Sequence, residues 1–393
     1  MGASVSVVFN PGGTNPALFF QMTEAAPHLP LSRDGNIKHI LTCDGAGIRG
    51  VFALQVIEKI ETLLKNHYGR SDFVLSDHYD FFAGTSTGAI IAACLCLGMT
   101  ATDILHLYAE GAEKMFSSAS LGKRFILARY DSLPLSLQLK EIFAEDDGSP
   151  ILLSSKKLRT LLMVVTRNAT TGSPWPVTNN PRAKYNDPSL PQCNLNIPLW
   201  QLVRASTAAP TYFPAETIVL GNQTFVFMDG AVTAYNNPAL IAAQTAILPQ
   251  YRVGWPPGPE KIRLISIGTM RLAAAAAALT AEQLGWLHAV ENVPNALIDT
   301  SSMQQDMVCR TMGKCLFGAP IDSEVGDMRP EDGLPKMFSY VRYNKEYRAK
   351  DIFDLEIKYG KSITKMDAIT IIPALREIGQ EYAEENVRLE HLI

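Results

Sequence analysis

Residues 79–97 constrain this chain more than any other stretch. Tyr79 to Ala83, apolar apart from Asp80, is of strand length, and Gly84-Thr85-Ser86-Thr87-Gly88 is a sharp turn. Ala89 to Leu97 is a continuous apolar run suited to a buried helix. A strand, G-x-S-x-G and a helix in that order form a nucleophile elbow. The serine occupies a strained turn, while Gly84 and Gly88 let strand and helix approach without a β-carbon between them. The serine N–H is expected to point from the helix N-terminus toward charge developing on a substrate oxygen. An ordinary strand-to-helix turn uses the same residue types, so the apolar flanks carry the functional reading.

A second glycine turn precedes the elbow. Ile37 to Cys43 reads as a strand, Asp44-Gly45-Ala46-Gly47-Ile48-Arg49-Gly50 as a turn, and Val51 to Lys65 as an amphipathic helix. Gly45, Gly47 and Gly50 satisfy the dinucleotide-binding spacing G-x-G-x-x-G. Two features oppose that reading. Asp44 sets a carboxylate where a pyrophosphate would lie, and the next strand leads to the serine elbow instead of an acidic ribose ligand. The alternative is an oxyanion hole, in which small residues leave loop N–H groups free to face a substrate oxygen. Arg49 then braces the loop or meets an anionic head group, unless it is simply exposed.

Farther along, Phe225 to Met228 reads as a strand that delivers Asp229-Gly230-Ala231. An acid at a strand end is well placed as a catalytic base, although Asp-Gly alone is most often a turn. Of the remaining segments, Thr102 to Met115, Pro198 to Ala209 and Pro238 to Ile247 read as helices. Leu161 to Thr166 and Ile262 to Gly268 read as strands, and Asn168 to Cys193 as a long surface loop. Lys123 to Arg129 mixes cations with large apolar groups, which suits either an anionic lipid surface or a partly buried strand. Residues 270–393 read as mainly helical, with a helical run at Ala273 to Ala278, a last strand at Tyr340 to Tyr343 and a closing helix from Leu375 to Leu392. Residues 1–37 read as an irregular arm. Alternating strands and helices imply an α/β fold with a mostly parallel central sheet and helices on both faces.

Composition narrows the function classes. Hydrophobic residues make up 47% of the 393 and charged residues 19%, enough for a sizeable core under a lightly charged surface. A net charge of −4 opposes a general nucleic-acid binder, which needs a basic face. The six cysteines show no C-x-x-C spacing, and no Asp/His/Glu cluster has ligand spacing, so neither a metal nor another cofactor is expected. Nothing resembles a secretory signal or a membrane span, and the expected location is cytoplasmic. Met1-Gly2-Ala3-Ser4-Val5-Ser6 fits the permissive myristoylation pattern.

Four pieces in order now carry a resemblance: Asp44 to Gly50, Gly84 to Gly88, Ala205-Ser-Thr-Ala-Ala-Pro-Thr-Tyr-Phe213, and Asp229 to Ala231. The chain resembles the patatin-like phospholipases over residues 38–270, and its tail around Tyr340-Val341-Arg342 is similar to the plant-type patatin C-terminus. Ala46 stands where many relatives carry a third consecutive glycine, a mild change because the contacts there are made by backbone. The resemblance implies a single catalytic domain over 38–393, with a motif core at 38–270 and a helical tail at 271–393. It implies a Ser-Asp dyad with Ser86 as nucleophile and Asp229 as base, and N–H groups of Gly45, Ala46 and Gly47 as oxyanion donors. The implied partner is a phospholipid or other acyl-ester lipid at a membrane surface. A small-molecule activator such as a cyclic nucleotide follows from the bacterial members.

Two rivals have distinct signatures. Ser86, Asp229 and His288 fall in the order of a Ser-His-acid esterase, but His288 lies in Leu284 to Val290, which reads as helix. A storage or binding protein on the same scaffold would lack Ser86 or Asp229, and both are present.

Overall fold

A computed structural model describes residues 37–115, 129–272, 286–321, 326, 334–361, 363 and 367–393. The N-terminal arm, the Gly2 signal, most of the Lys123–Arg129 patch and the Ala273–Ala278 run lie outside the described residues.

The sheet grows from central strands that are buried on both faces, as strands covered by helices are. In chain order the strands are β1 (Lys38–Cys43), β2 (Phe81–Thr85), β3 (Leu161–Asn168), β4 (Ser173–Thr178), β5 (Glu216–Leu220), β6 (Gln223–Asp229) and β7 (Ile262–Ile267). A two-residue β8 (Arg271–Leu272) follows, then β9 (Gly313–Phe317), β10 (Phe338–Tyr343) and a short β11 (Glu346–Tyr347). Nine of them form one sheet in the order β5-β6-β3-β2-β1-β7-β10-β9, with β4 also on β3. The run from β3 to β9 is parallel, while β4, β5 and β6 are antiparallel.

Successive residues along each central strand feed opposite faces, as the pleat requires. Leu41, Cys43, Phe82, Leu162, Val164, Ile265 and Val341 enter one core. Ile40, Phe81, Ala83, Met163, Val165, Leu264 and Tyr340 enter the other. The first face is covered by α1 (Gly50–Tyr68), α2 (Thr87–Cys96), α3 (Ala101–Met115), α4 (Ser132–Ile142) and α5 (Leu199–Ser206). The second is covered by α6 (Ala239–Ile247) and by α7 (Trp286–Met312), which contributes Cys309. The tail adds α8 (Ala349–Tyr359) and α9 (Ile372–Asn386), and α9 packs on α1. Every residue of α2 is buried, which explains why that helix is apolar all round.

Three segments depart from expectation. The Asn168–Cys193 stretch is not all loop, because Ser173–Thr178 forms β4 against β3. Pro174 and Pro176 hide it from a strand pattern, yet proline is tolerated at a sheet edge, where one N–H direction needs no partner. Glu216–Leu220 forms β5, joined to β6 through Gly221 at φ 57° and Asn222. Finally, the mainly helical tail carries the expected strand at Tyr340–Tyr343 within β10 and also an unexpected one, β9, which pairs with β10 at the end of the sheet.

Candidate active site

The elbow forms at the end of β2. Ser86 has φ 54° and ψ −123°, a conformation that L residues rarely adopt. A β-carbon on Gly84 would stand 2.0 Å from the Gly88 carbonyl oxygen, and one on Gly88 would stand 2.2 Å from that of Cys43. Both glycines are therefore fixed by close approach, as expected. Ser86 is partly exposed, whereas its neighbours Thr85 and Thr87 are buried.

Sheet register brings Asp229 to the serine. β2 pairs with β3 up to Thr85↔Val165, and β6 takes over the same edge of β3 at Asp229↔Thr166. β4 occupies the opposite edge of β3 over both stretches. Because β6 runs antiparallel to β3, its last residue arrives where β2 ends. The Ser86 hydroxyl donates to Asp229 Oδ2 at 2.7 Å, across 143 positions of sequence. The second carboxylate oxygen, Oδ1, accepts from the Ala231 N–H at 2.8 Å, and the Asp229 N–H donates to the Ala208 carbonyl at 3.0 Å. Asp229 is 1% exposed. Burial pushes its carboxyl up to about 7, against the opposing pull of the Ser86 and Ala231 hydrogen bonds and the Arg204 charge. That value suits a base working near neutrality.

The glycine turn after β1 lies beside the elbow. A β-carbon on Gly45 would stand 3.0 Å from Ser86 Cβ and 2.6 Å from Asn236 Oδ1. Ala46 is extended at φ −179°, and Gly47 sits at φ 54°. The Gly47 carbonyl accepts from the Tyr108 hydroxyl at 2.8 Å and the Thr87 hydroxyl at 2.9 Å, which pins that peptide. Among the described residues, no acceptor is bonded to the N–H of Ala46 or Gly47. Gly45 differs: its N–H donates to the Asn236 carbonyl at 3.2 Å, so it is not a free oxyanion donor. The N–H of Ser86 is committed as well, to Ser206 Oγ at 2.8 Å, and does not face a substrate oxygen.

Charged groups brace the turn. Arg342 from β10 grips Asp44 with Nη1 to Oδ1 at 2.9 Å and Nη2 to Oδ2 at 2.6 Å, and Nη1 also donates to Ser266 Oγ at 2.7 Å. Both side chains are buried. Burial works against the Arg342 charge, but the Asp44 carboxylate more than offsets it and holds the guanidinium above its ordinary range. Asp44 is thus an internal counter-ion, and no nucleotide phosphate is needed to explain the loop. Arg49 is 5% exposed, which removes the simple surface reading, and its Nη1 donates to the Met270 carbonyl at 3.4 Å. It lines a cleft of about 60 Å³ with Gly45, Asn236, Asp299 and Ser302; Ser86 and Asp229 are not on that wall.

His288 lies near the start of α7, in helix as its sequence context suggests, and its side chain is outside the described residues. Sequence reasoning missed Ser206, Tyr108 and Arg342 as parts of the site. Ser206 stood inside a recognised motif and Arg342 inside a recognised strand, but neither carries a local sign of its distant partner.

An elbow serine bonded to a buried aspartate at the C-terminal edge of a mostly parallel sheet defines the class of α/β proteins with a nucleophile elbow. Within that class the chain belongs to the patatin-like phospholipase family, which matches residues 41–243. A cGAMP-activated phospholipase from Vibrio cholerae is 26% identical over 253 residues, covering 60% of this chain and 65% of the relative. Patatin-like protein 1 from Arabidopsis thaliana is 29% identical over 254 residues, covering 60% of this chain and 59% of the relative. The chain therefore spans somewhat less than two thirds of these relatives' lengths. The crystal structure of VipD from Legionella pneumophila aligns with 90% of this chain and 67% of its own at a TM-score of 0.37 and 14% identity, too loosely to carry an argument. Among the described residues, no helix is long and apolar enough to cross a membrane, and no group of three or more His, Cys, Asp or Glu side chains is placed to hold a metal.

Proposed function

We propose that this chain is a lipid acyl hydrolase that cleaves acyl esters of membrane phospholipids through Ser86 and Asp229, with residues 38–393 acting as one catalytic unit. The observation that carries the reading is the 2.7 Å contact between a strained, partly exposed serine hydroxyl and a buried carboxylate. Ser86 Oγ attacks the ester carbonyl while its proton passes to Asp229 Oδ2. The N–H groups of Ala46 and Gly47 receive the oxyanion, an interaction worth roughly 3–4 kcal/mol per donor in comparable sites. Collapse of the tetrahedral intermediate expels the lysolipid alkoxide, which takes the proton from Asp229 and leaves an acyl-Ser86 ester. Water then attacks that ester, Asp229 accepts its proton, and fatty acid departs as Ser86 regains a hydrogen.

The test is fatty-acid release from mixed phospholipid vesicles by wild type, Ser86→Ala and Asp229→Asn, all shown to be folded. Loss in both variants supports the dyad; activity surviving in both rejects it. Relatives named for activation by cGAMP make that cyclic dinucleotide the first activator to add if wild type is silent. A rate that responds to cGAMP supports such regulation, and an active enzyme indifferent to it argues against this activator.

A further inference from the structure

We propose that Ser206 is a positioning residue that holds the nucleophile elbow in register with its base. This rests on the reading of Ser86 as nucleophile and Asp229 as base.

Three observations converge on Ser206. First, the Ser86 conformation is one that the chain does not adopt unaided, so surrounding contacts must hold it. Its N–H sits between buried Thr85 and Thr87 and needs an acceptor, because an orphaned buried donor is costly. Ser206 Oγ supplies that acceptor at 2.8 Å. Second, the Ser206 proton is already committed to the Val165 carbonyl at 2.6 Å, which leaves the oxygen lone pairs for Ser86. A serine in a helix ordinarily turns its hydroxyl back to a carbonyl of the preceding turn. Here both bonds instead reach across the fold, over 120 and 41 positions, from a fully buried side chain.

Third, the same short segment holds the base. Two residues after Ser206, the Ala208 carbonyl accepts the Asp229 N–H at 3.0 Å. Val165 is the β3 residue paired with Thr85, and the next residue, Thr166, pairs with Asp229. Ser206–Ala208 therefore forms a bracket on the backbone of both reacting residues at the seam where β6 succeeds β2. Its span contributes to the separation of Ser86 Oγ and Asp229. A hydroxyl is required at 206 because one atom must both donate to β3 and accept from the elbow; neither a methyl nor a carboxylate can do both.

The experiment uses the full chain with p-nitrophenyl butyrate as substrate and a fluorophosphonate probe to count reactive serines. Ser206→Ala is expected to lower kcat per titrated site by ~10–100-fold with KM little changed, the range for reacting atoms misplaced by a fraction of an ångström. Fluorophosphonate labelling should slow in parallel. The acid limb of the rate profile should move to higher pH, since a weakened Ser86 contact no longer pulls the Asp229 carboxyl downward. A purely structural role would reduce the number of titratable sites but leave the rate per site and the limb where they are. Ser206→Thr, which keeps the hydroxyl, should recover most of the rate per site. If the alanine variant does not fold, Ser206→Cys fills the same place with a poor acceptor and is read in the same way. An unchanged rate per site in either variant, with Ser86→Ala inactive, overturns the positioning role while leaving the dyad intact. Full activity and labelling in Ser86→Ala would remove the dyad reading, and this inference with it.

Discussion

Replacing Asp229 with asparagine should abolish turnover and also make the protein more stable, by an amount that depends on pH. The folded-state carboxyl titrates near 7, against an ordinary value of 3.8. At 1.36 kcal/mol per unit, ionising it inside the fold costs about 4 kcal/mol more than ionising it in the unfolded chain. The sign follows from proton binding. Between the two values the folded protein holds a proton that the unfolded chain has lost, so wild-type stability falls as pH rises from 3.8 to about 7 and is level above that. Asparagine does not titrate and keeps nearly the same shape. Its single acceptor oxygen cannot serve both the Ser86 hydroxyl and the Ala231 N–H, a pH-independent loss of about 1 kcal/mol. Urea unfolding of wild type and Asp229→Asn should therefore diverge with pH. The variant-minus-wild-type difference in unfolding free energy should grow by about 4 kcal/mol from about pH 4 to about pH 8. A difference that stays flat across that range would show that Asp229 is not a desolvated carboxylate. The wild-type hydrolysis rate should show the complementary limb, falling below a midpoint near 7 as the base acquires its proton.

Arg342→Met should destabilise the fold by roughly 3–5 kcal/mol in urea, because it leaves the Asp44 carboxylate buried without its partner. A small change would mean that water reaches Asp44. Gly88→Ala should fail to give folded protein, or lose more than about 3 kcal/mol, since its β-carbon meets the Cys43 carbonyl oxygen at 2.2 Å; a stable, active variant would refute the close approach. Tyr108→Phe removes one of two hydroxyls on the Gly47 carbonyl and should cost about 1 kcal/mol in stability with a drop in kcat, checked by urea midpoint and ester hydrolysis. His288→Ala should leave hydrolysis essentially intact, and near-complete loss would restore a histidine to the mechanism.

Much of this architecture is legible in local sequence because its determinants are local. The elbow at 84–88 is set by glycines whose need is steric, and β2 and β3 announce themselves by the apolar runs Phe81–Ala83 and Leu161–Val165. Asp229 is readable as a residue at a strand end. What is not legible is pairing. Nothing in Gln223–Asp229 says that it continues the edge of β3 vacated by β2, although that register is what sets Asp229 against Ser86. The prolines of Ser173–Thr178 conceal an edge strand, since their missing N–H groups cost nothing on an unpaired side. Likewise the family resemblance implies an oxyanion donor at Gly45. Its N–H is taken by the Asn236 carbonyl, a partner nearly two hundred residues away that no spacing rule identifies.

The Asp44–Arg342 pair bears on where this protein can be divided. The family match ends at residue 243, and a fragment cut there would retain Ser86, Asp229 and the glycine turn. It would also lose β7 and β10, and with them Ser266 and the guanidinium that neutralises Asp44 at the foot of that turn. The stretch matched by the family is thus smaller than the sheet that supports its site, and motif residues grafted or excised by the family boundary alone would leave Asp44 without its counter-charge beside the site.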